Sequence, residues 1–186
     1  MRRLILRKVP SAALTASFRP LRRPSATALR VMGIDPGTLR VGYAVLALEK
    51  GETRPRVLDF GVIRAKAGDP VDRRLGWIHR ELSRLIEAWS PASVGVEAAF
   101  HGKGAMAALR IGEGRGAAIA AAASRGLPVA SYPPAVVKKA ITGNGAASKG
   151  QVQAMAQTLL GVDASGFPFD ASDALAVALC HLWRAD

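Results

Sequence analysis

The chain has 186 residues and a mass of 19.5 kDa, enough for one domain or one domain with a tail. Its composition, 49% apolar and 22% charged, excludes wholesale disorder, no apolar run reaches the roughly 18–20 residues of a membrane span, and the single cysteine excludes an internal disulfide and a cysteine-based zinc site. The net charge of +12 is uneven: residues 1–30 carry Arg2, Arg3, Arg7, Lys8, Arg19, Arg22, Arg23 and Arg30 and no acid, which leaves +4 on residues 31–186 and makes the pI of 11.0 a poor argument that the body binds nucleic acid.

Residues 1–29 read as a basic extension outside the fold, rich in Arg, Ser, Ala and Pro, with Pro10, Pro20 and Pro24 breaking it up. Three origins fit: an organellar transit peptide, a nucleic-acid-binding arm, or a reading frame opened too far upstream, with the true start near Leu29–Met32. The domain itself is expected over 30–186. Arg30–Ile34 is a short apolar strand stopped by Asp35-Pro36-Gly37. Val41–Leu48 and Val57–Ile63 are two more strands, and the short connections predict an antiparallel meander. The period then changes. Leu75, Ile78, Leu82, Leu85, Ile86 and Trp89 fall at three- and four-residue steps, so Val71–Trp89 is an amphipathic helix. Ser93–Glu97 is a buried strand, Lys103–Ser124 an alanine-rich helix, Leu127–Tyr132 a fifth strand and Pro134–Thr142 a short helix opened by proline. A Gly-rich loop over Gly143–Lys149 precedes helices at Gln151–Leu160 and Asp170–Trp183. The order βββαβαβααα implies an α/β domain: a mixed five-stranded sheet, strands 1–3 antiparallel, with helices on both faces.

The body has few acids, so their placement carries information. Asp35 follows the first strand and Glu97 ends the fourth, at the sheet rim where α/β sites form. Asp170 and Asp173 stand i, i+3 on one face of the last helix. If the fourth strand lies beside the first, all four converge. Clustered carboxylates need cations, and all-oxygen ligation suits Mg²⁺, with Mn²⁺ as a substitute. Two such ions per subunit would stabilise the attacking and leaving oxygens of an in-line phosphoryl displacement. Plainer readings stay open at this point: Asp170 as a helix N-cap after Pro168 and Asp35 as a turn residue. Glu97 is harder to dismiss, because an acid inside SVGVEAAF is costly to bury unpaired.

Four collinear blocks, GIDPGTLRVGYAV at 33–45, VEAAF at 96–100, VVKKAITGNGAASKGQVQAM at 136–155 and DASDALAVALCH at 170–181, resemble the RuvC Holliday-junction resolvases. The resemblance implies a ribonuclease-H-like fold and a metal-dependent endonuclease. Such an enzyme works as a homodimer and resolves four-way DNA junctions by paired symmetric nicks in recombination and repair, leaving 5′-phosphate ends. It makes Asp35, Glu97, Asp170 and Asp173 the catalytic, metal-binding carboxylates, Phe100 an aromatic that inserts near the crossover, and Lys138 and Lys149 basic residues near the scissile phosphate. It suggests a RuvA–RuvB branch-migration partner and a bacterial cytoplasm, or an organelle matrix if residues 1–29 are a genuine transit peptide. It also puts the helix bearing Gly112, Gly116, Ala117, Ala120 and Ala121 at the dimer interface. His101-Gly102 and Gly104 depart from the family pattern after Phe100. IGEGRG at 111–116 lacks the preceding strand and spacing of a dinucleotide loop. His79, His101 and His181 show no metal spacing, and Cys180 reads as a packing residue. The rivals are an RNA-processing nuclease of the same fold, a non-catalytic junction-binding module and an actin-like phosphotransferase, which needs about twice this length.

Overall fold

A computed structural model of the chain describes residues 24–98, 104–162, 166 and 168–184. Among these, the elements run β1 (Leu29–Asp35), β2 (Arg40–Leu48), β3 (Arg56–Arg64), α1 (Val71–Trp89), β4 (Ser93–Glu97), α2 (Gly104–Ala123), β5 (Val129–Tyr132), α3 (Pro134–Thr142), α4 (Lys149–Leu160) and α5 (Phe169–Leu182). The sheet order is β3-β2-β1-β4-β5. β1 and β2, and β2 and β3, pair antiparallel; β4 runs parallel to β1 and β5 parallel to β4. Element order and pairing agree with the sequence expectation.

The central strands are apolar on both faces because both faces are covered. Along β1 and β2, Met32, Ile34, Val41, Tyr43 and Val45 turn to one core with Ile78, Leu82 and Ile86 of α1 and Ala118, Ala121 and Ala122 of α2. Val31, Ala44 and Leu46 turn to the other, beneath α3, α4 and α5. The alternation is the period-2 geometry of a strand. A register shift at Val45/Leu46 opposite β3 keeps both Leu58 and Asp59 on the α1 side. There the buried Asp59 accepts from the Trp89 indole at 3.0 Å and the Tyr43 hydroxyl at 3.4 Å.

The end of the sheet where β1 and β4 stop depends on how α5 sits. This helix is buried along nearly its whole length and crosses the sheet over three glycines on adjacent strands. A Cβ on Gly42 of β2 would collide with the Asp170 carbonyl oxygen. One on Gly33 of β1 would strike the Ala178 backbone, and one on Gly95 of β4 would come within 2.7 Å of the His181 Cβ. Only glycine lets the helix backbone rest this close to the sheet. The far end of α5 is tethered by His181, whose Nε2 lies 2.8 Å from the Ser93 hydroxyl and whose Nδ1 lies 2.8 Å from the Tyr132 hydroxyl.

Two local features refine the sequence reading. Ser148 and Gln151 form a reciprocal capping box that opens α4 within the segment read as loop. Ser25 donates from its backbone N–H to Glu49 Oε1 at 2.9 Å and from its hydroxyl to Oε2, and Ala28 is buried against the α1 side. Residues 25–28, grouped by composition with the basic extension, therefore pack on the domain.

Candidate active site

Parallel pairing of β1 with β4 matches Ile34 with Val96, so Asp35 and Glu97 end adjacent strands side by side. They share the parity of Gly33 and Gly95, which places both on the α5 face. The first turn of α5 carries Asp170 and, one turn on, Asp173. Asp170 is no N-cap. Pro168 holds that position, and no side chain caps the helix. The four carboxylates thus come together as the sequence predicted, and the close seat of α5 on Gly42 brings Asp170 there.

Their electrostatics follow from that crowding. Burial, then the charges of Glu97 and Asp173, the hydrogen bond to Glu97 and the charge of Asp170 push Asp35 up to about 8. Glu97 is also raised, chiefly by burial, while the Asp35 hydrogen bond and the ammonium groups of Lys149 and Lys138 pull the other way. Crowding and burial therefore work against the anionic forms of both Asp35 and Glu97. Lys149 sits at the N-terminus of α4 and places its Nζ 2.7 Å from Asp173 Oδ2. Burial alone would lower its pKa, but the hydrogen bond and charge of Asp173, with the charges of Asp35 and Glu97, raise it. Lys138 on α3 acts on Glu97 through its charge. Both lysines singled out in the sequence are therefore at the site. Phe100 lies outside the described residues, as does His101.

Among the described residues no three Asp, Glu, His or Cys side chains already surround one point as metal ligands do. The donor chemistry nonetheless fits a hard divalent cation: four carboxylates, oxygen donors only, two of them raised in pKa by burial and crowding.

Similarity to known proteins now enters. A family model described as crossover junction endodeoxyribonuclease RuvC matches residues 31–181. The chain belongs to the RuvC family. The crossover junction endodeoxyribonuclease RuvC of Moorella thermoacetica is 46% identical over 158 residues, covering 83% of this chain and 93% of that protein. Its counterpart in Syntrophomonas wolfei is 42% identical over 154 residues, covering 83% and 88%. Thermus thermophilus RuvC in complex with a Holliday junction substrate superposes with a TM-score of 0.78 at 34% identity, covering 84% of this chain and 94% of that one. The yeast mitochondrial resolvase Ydc2, at 15% identity and a TM-score of 0.58, shares the fold. The ribonuclease-H-like architecture is thus established, and with it membership in a family of metal-dependent junction endonucleases.

Sequence reasoning missed two contributions to the RuvC-like site. Arg40 opens β2 with its guanidinium 3.9 Å from Asp170 Oδ2. Its only sequence signal is its place just after GIDPGT. Gly33, Gly42 and Gly95 were given no role beyond their strands, yet they seat α5. Gly114 of α2 rests against the carbonyl of Gly37, in the turn after Asp35, and leaves no room for a Cβ. The α2 face also divides differently from the expectation. Ala121 is buried against α1 and Ala117 is partly buried, whereas Gly112, Gly116 and Ala120 face outward beside the exposed Met106 and Leu109.

Proposed function

We propose that the four carboxylates form the metal-binding catalytic centre with which this RuvC-family chain resolves four-way DNA junctions by paired, symmetric nicks. The seating of Asp35 and Glu97 on adjacent strand ends, facing Asp170 and Asp173 of α5, carries this reading. Evolving a fold that buries two acids side by side, facing two more, has a cost that a cation-dependent reaction explains. The residues that would hold two Mg²⁺ ions, or Mn²⁺ in their place, are Asp35, Glu97, Asp170 and Asp173. Bound divalent cations activate water and stabilise a leaving 3′ oxygen.

The chain's own groups do the rest. The anionic forms of Asp35 and Glu97, which burial and crowding otherwise disfavour, would be favoured by divalent cations held there. Lys149 leaves Asp173 and pairs with a phosphate oxygen of the scissile strand. Lys138, beside Glu97, offers a second cation to the same strand. Phe100, from its place in VEAAF, stacks on a base unpaired at the crossover. The outward face of α2, with Met106, Leu109, Gly112, Gly116 and Ala120, meets its copy in a homodimer, which spaces two sites to suit a junction. A RuvA–RuvB motor is the proposed branch-migration partner and a bacterial cytoplasm the proposed compartment, with an organelle matrix as the alternative if residues 1–29 direct import. No helix among the described residues is long and apolar enough to cross a membrane.

The test is incubation of the chain with an immobile synthetic four-way junction and a matched linear duplex, in Mg²⁺ or in EDTA, with cuts mapped on all four strands. Paired, ligatable nicks on the junction alone, and only with Mg²⁺, are the expected result. Binding without cutting in Mg²⁺ and in Mn²⁺ would overturn the catalytic reading.

A further inference from the structure

The catalytic carboxylates are flanked by charge on two sides. Lys138 and Lys149 flank them from the α3–α4 side. On the other side, Arg40 of β2 pairs directly across the ladder with Arg64 of β3. Both share the parity of Gly42, Ala44, Phe60 and Val62, so both lie on the α5 face at the catalytic end of the sheet. The Arg40 side chain is 59% exposed although it reaches Asp170. Directly beside Asp170, Phe169 opens α5 with 59% of its surface exposed. A large aromatic more than half exposed, next in the chain to a site carboxylate, is available to contact a bound molecule. The ladder is closed beyond Arg64 by the Ala65 N–H, which donates to the Leu39 carbonyl at 2.9 Å. Leu39 is itself exposed, and so is Lys66.

Along the end of the sheet the strands therefore present Arg64, Arg40, Asp35 and Glu97 in that order, with Asp170 of α5 above β2. The strands from β3 to β4 span roughly 14 Å at about 4.8 Å per gap. That is about four base steps of duplex at about 3.4 Å each. A strand laid across this edge with its scissile phosphate at the carboxylates would meet lysines on one side and the arginine–phenylalanine ledge on the other.

We propose that Arg40, Arg64 and Phe169 form a second substrate platform, which grips the cleaved DNA strand on the β2–β3 side of the scissile phosphate. The two guanidinium groups take phosphates bidentately, and Phe169 stacks on a base of that strand. The proposal rests on the junction-resolvase reading, which supplies the strand to be gripped.

The test uses the full chain and junctions carrying 2-aminopurine at single positions up to four nucleotides either side of the cut. Affinity is measured in Ca²⁺ and cleavage in Mg²⁺. Phe169→Ala should lower kcat/KM roughly 5- to 100-fold and erase a 2-aminopurine fluorescence change seen on one side of the cut only. Phe169→Trp should restore both, and Phe169→Leu should not. Arg40→Gln and Arg64→Gln should each weaken binding and reduce the salt slope by about one. Phe169 and Arg40 are exposed, so melting temperatures of their variants should stay within a few degrees of the parent. Unchanged cleavage, salt slope and fluorescence in Phe169→Ala and Arg40→Gln, with the parent cutting normally, would overturn the platform alone. A parent chain that neither binds nor cuts the junction would overturn the resolvase reading and the platform with it.

Discussion

Asp35 is the residue whose surroundings decide most. Its carboxyl is raised from an ordinary 3.8 to about 8, so the folded chain binds a proton there that the unfolded chain has released. A group raised on folding stabilises most below its unfolded value and loses that contribution as pH rises through the folded value. In EDTA, the melting temperature should therefore fall between about pH 4 and pH 8, and Asp35→Asn should flatten that decline. Added Mg²⁺ should recover stability in the parent at pH 8 and recover little in the variant. The same substitution should reduce junction cleavage by at least about 10²–10³-fold while binding persists, because removing an anion lessens repulsion of DNA. Gel-shift and cleavage assays on one preparation separate the two effects. The identities of the four acids were legible in the sequence, since a carboxylate at a strand end or on an i, i+3 helix face is a local pattern. Arg40 was not legible as a site residue. Its role rests on an approach to Asp170, 130 positions further along the chain, that no local spacing encodes.

The decisive element is α5. Its apolar pattern predicted a buried helix, and DASD at its start predicted the acidic face. What the pattern does not contain is the helix's height above the sheet, which Gly42, Gly33 and Gly95 set from three separate strands. Gly42→Ala should push the Asp170 end of α5 outward. We expect a loss of about 1–3 kcal/mol in stability and a larger proportional loss in cleavage, measured by denaturant melts and by single-turnover cutting. At the other end, His181 is held neutral by burial, which lowers its pKa. His181→Ala strands the hydroxyls of Tyr132 and Ser93 without their partner. A loss of about 2–5 kcal/mol is expected from two buried polar groups left unpaired and the cavity beneath them. His181 looked like a stray histidine in the sequence because its two partners lie on β4 and β5. The capping box of Ser148 and Gln151 was, by contrast, present in the letters and was passed over inside a Gly-rich stretch.

For the whole molecule, the sheet and its two helical layers place the four carboxylates at one end of the sheet. A junction has two strands to cut, which requires a second centre at a fixed distance. The outward face of α2 is where a second copy would bind, and its inner face already supports the Asp35 turn through Gly114 and Gly37. Open space surrounds a Cβ at Gly116, so Gly116→Leu should fold normally. It should shift sedimentation toward the monomer and turn paired nicks into isolated ones. A dimer of parental stability in that variant would place the interface elsewhere. The outer and inner faces of α2 could not be separated from the sequence, where alanine and glycine fill both.

The sequence by itself determined the element order, the helical and strand faces, the family resemblance and which acids meet at the candidate site. These depend on periodicity, turn residues and side-chain type, all of which act over a few neighbouring positions. Only the tertiary structure decided that Asp35 and Glu97 crowd one another and are both raised in pKa, that Lys149 pairs with Asp173, that Arg40 borders the site and that Ser25 already belongs to the domain. Each of these is a contact between residues at least 24 positions apart. Burial and Coulomb energy at such contacts depend on distance in space, and a distance in space exists only once the chain has folded.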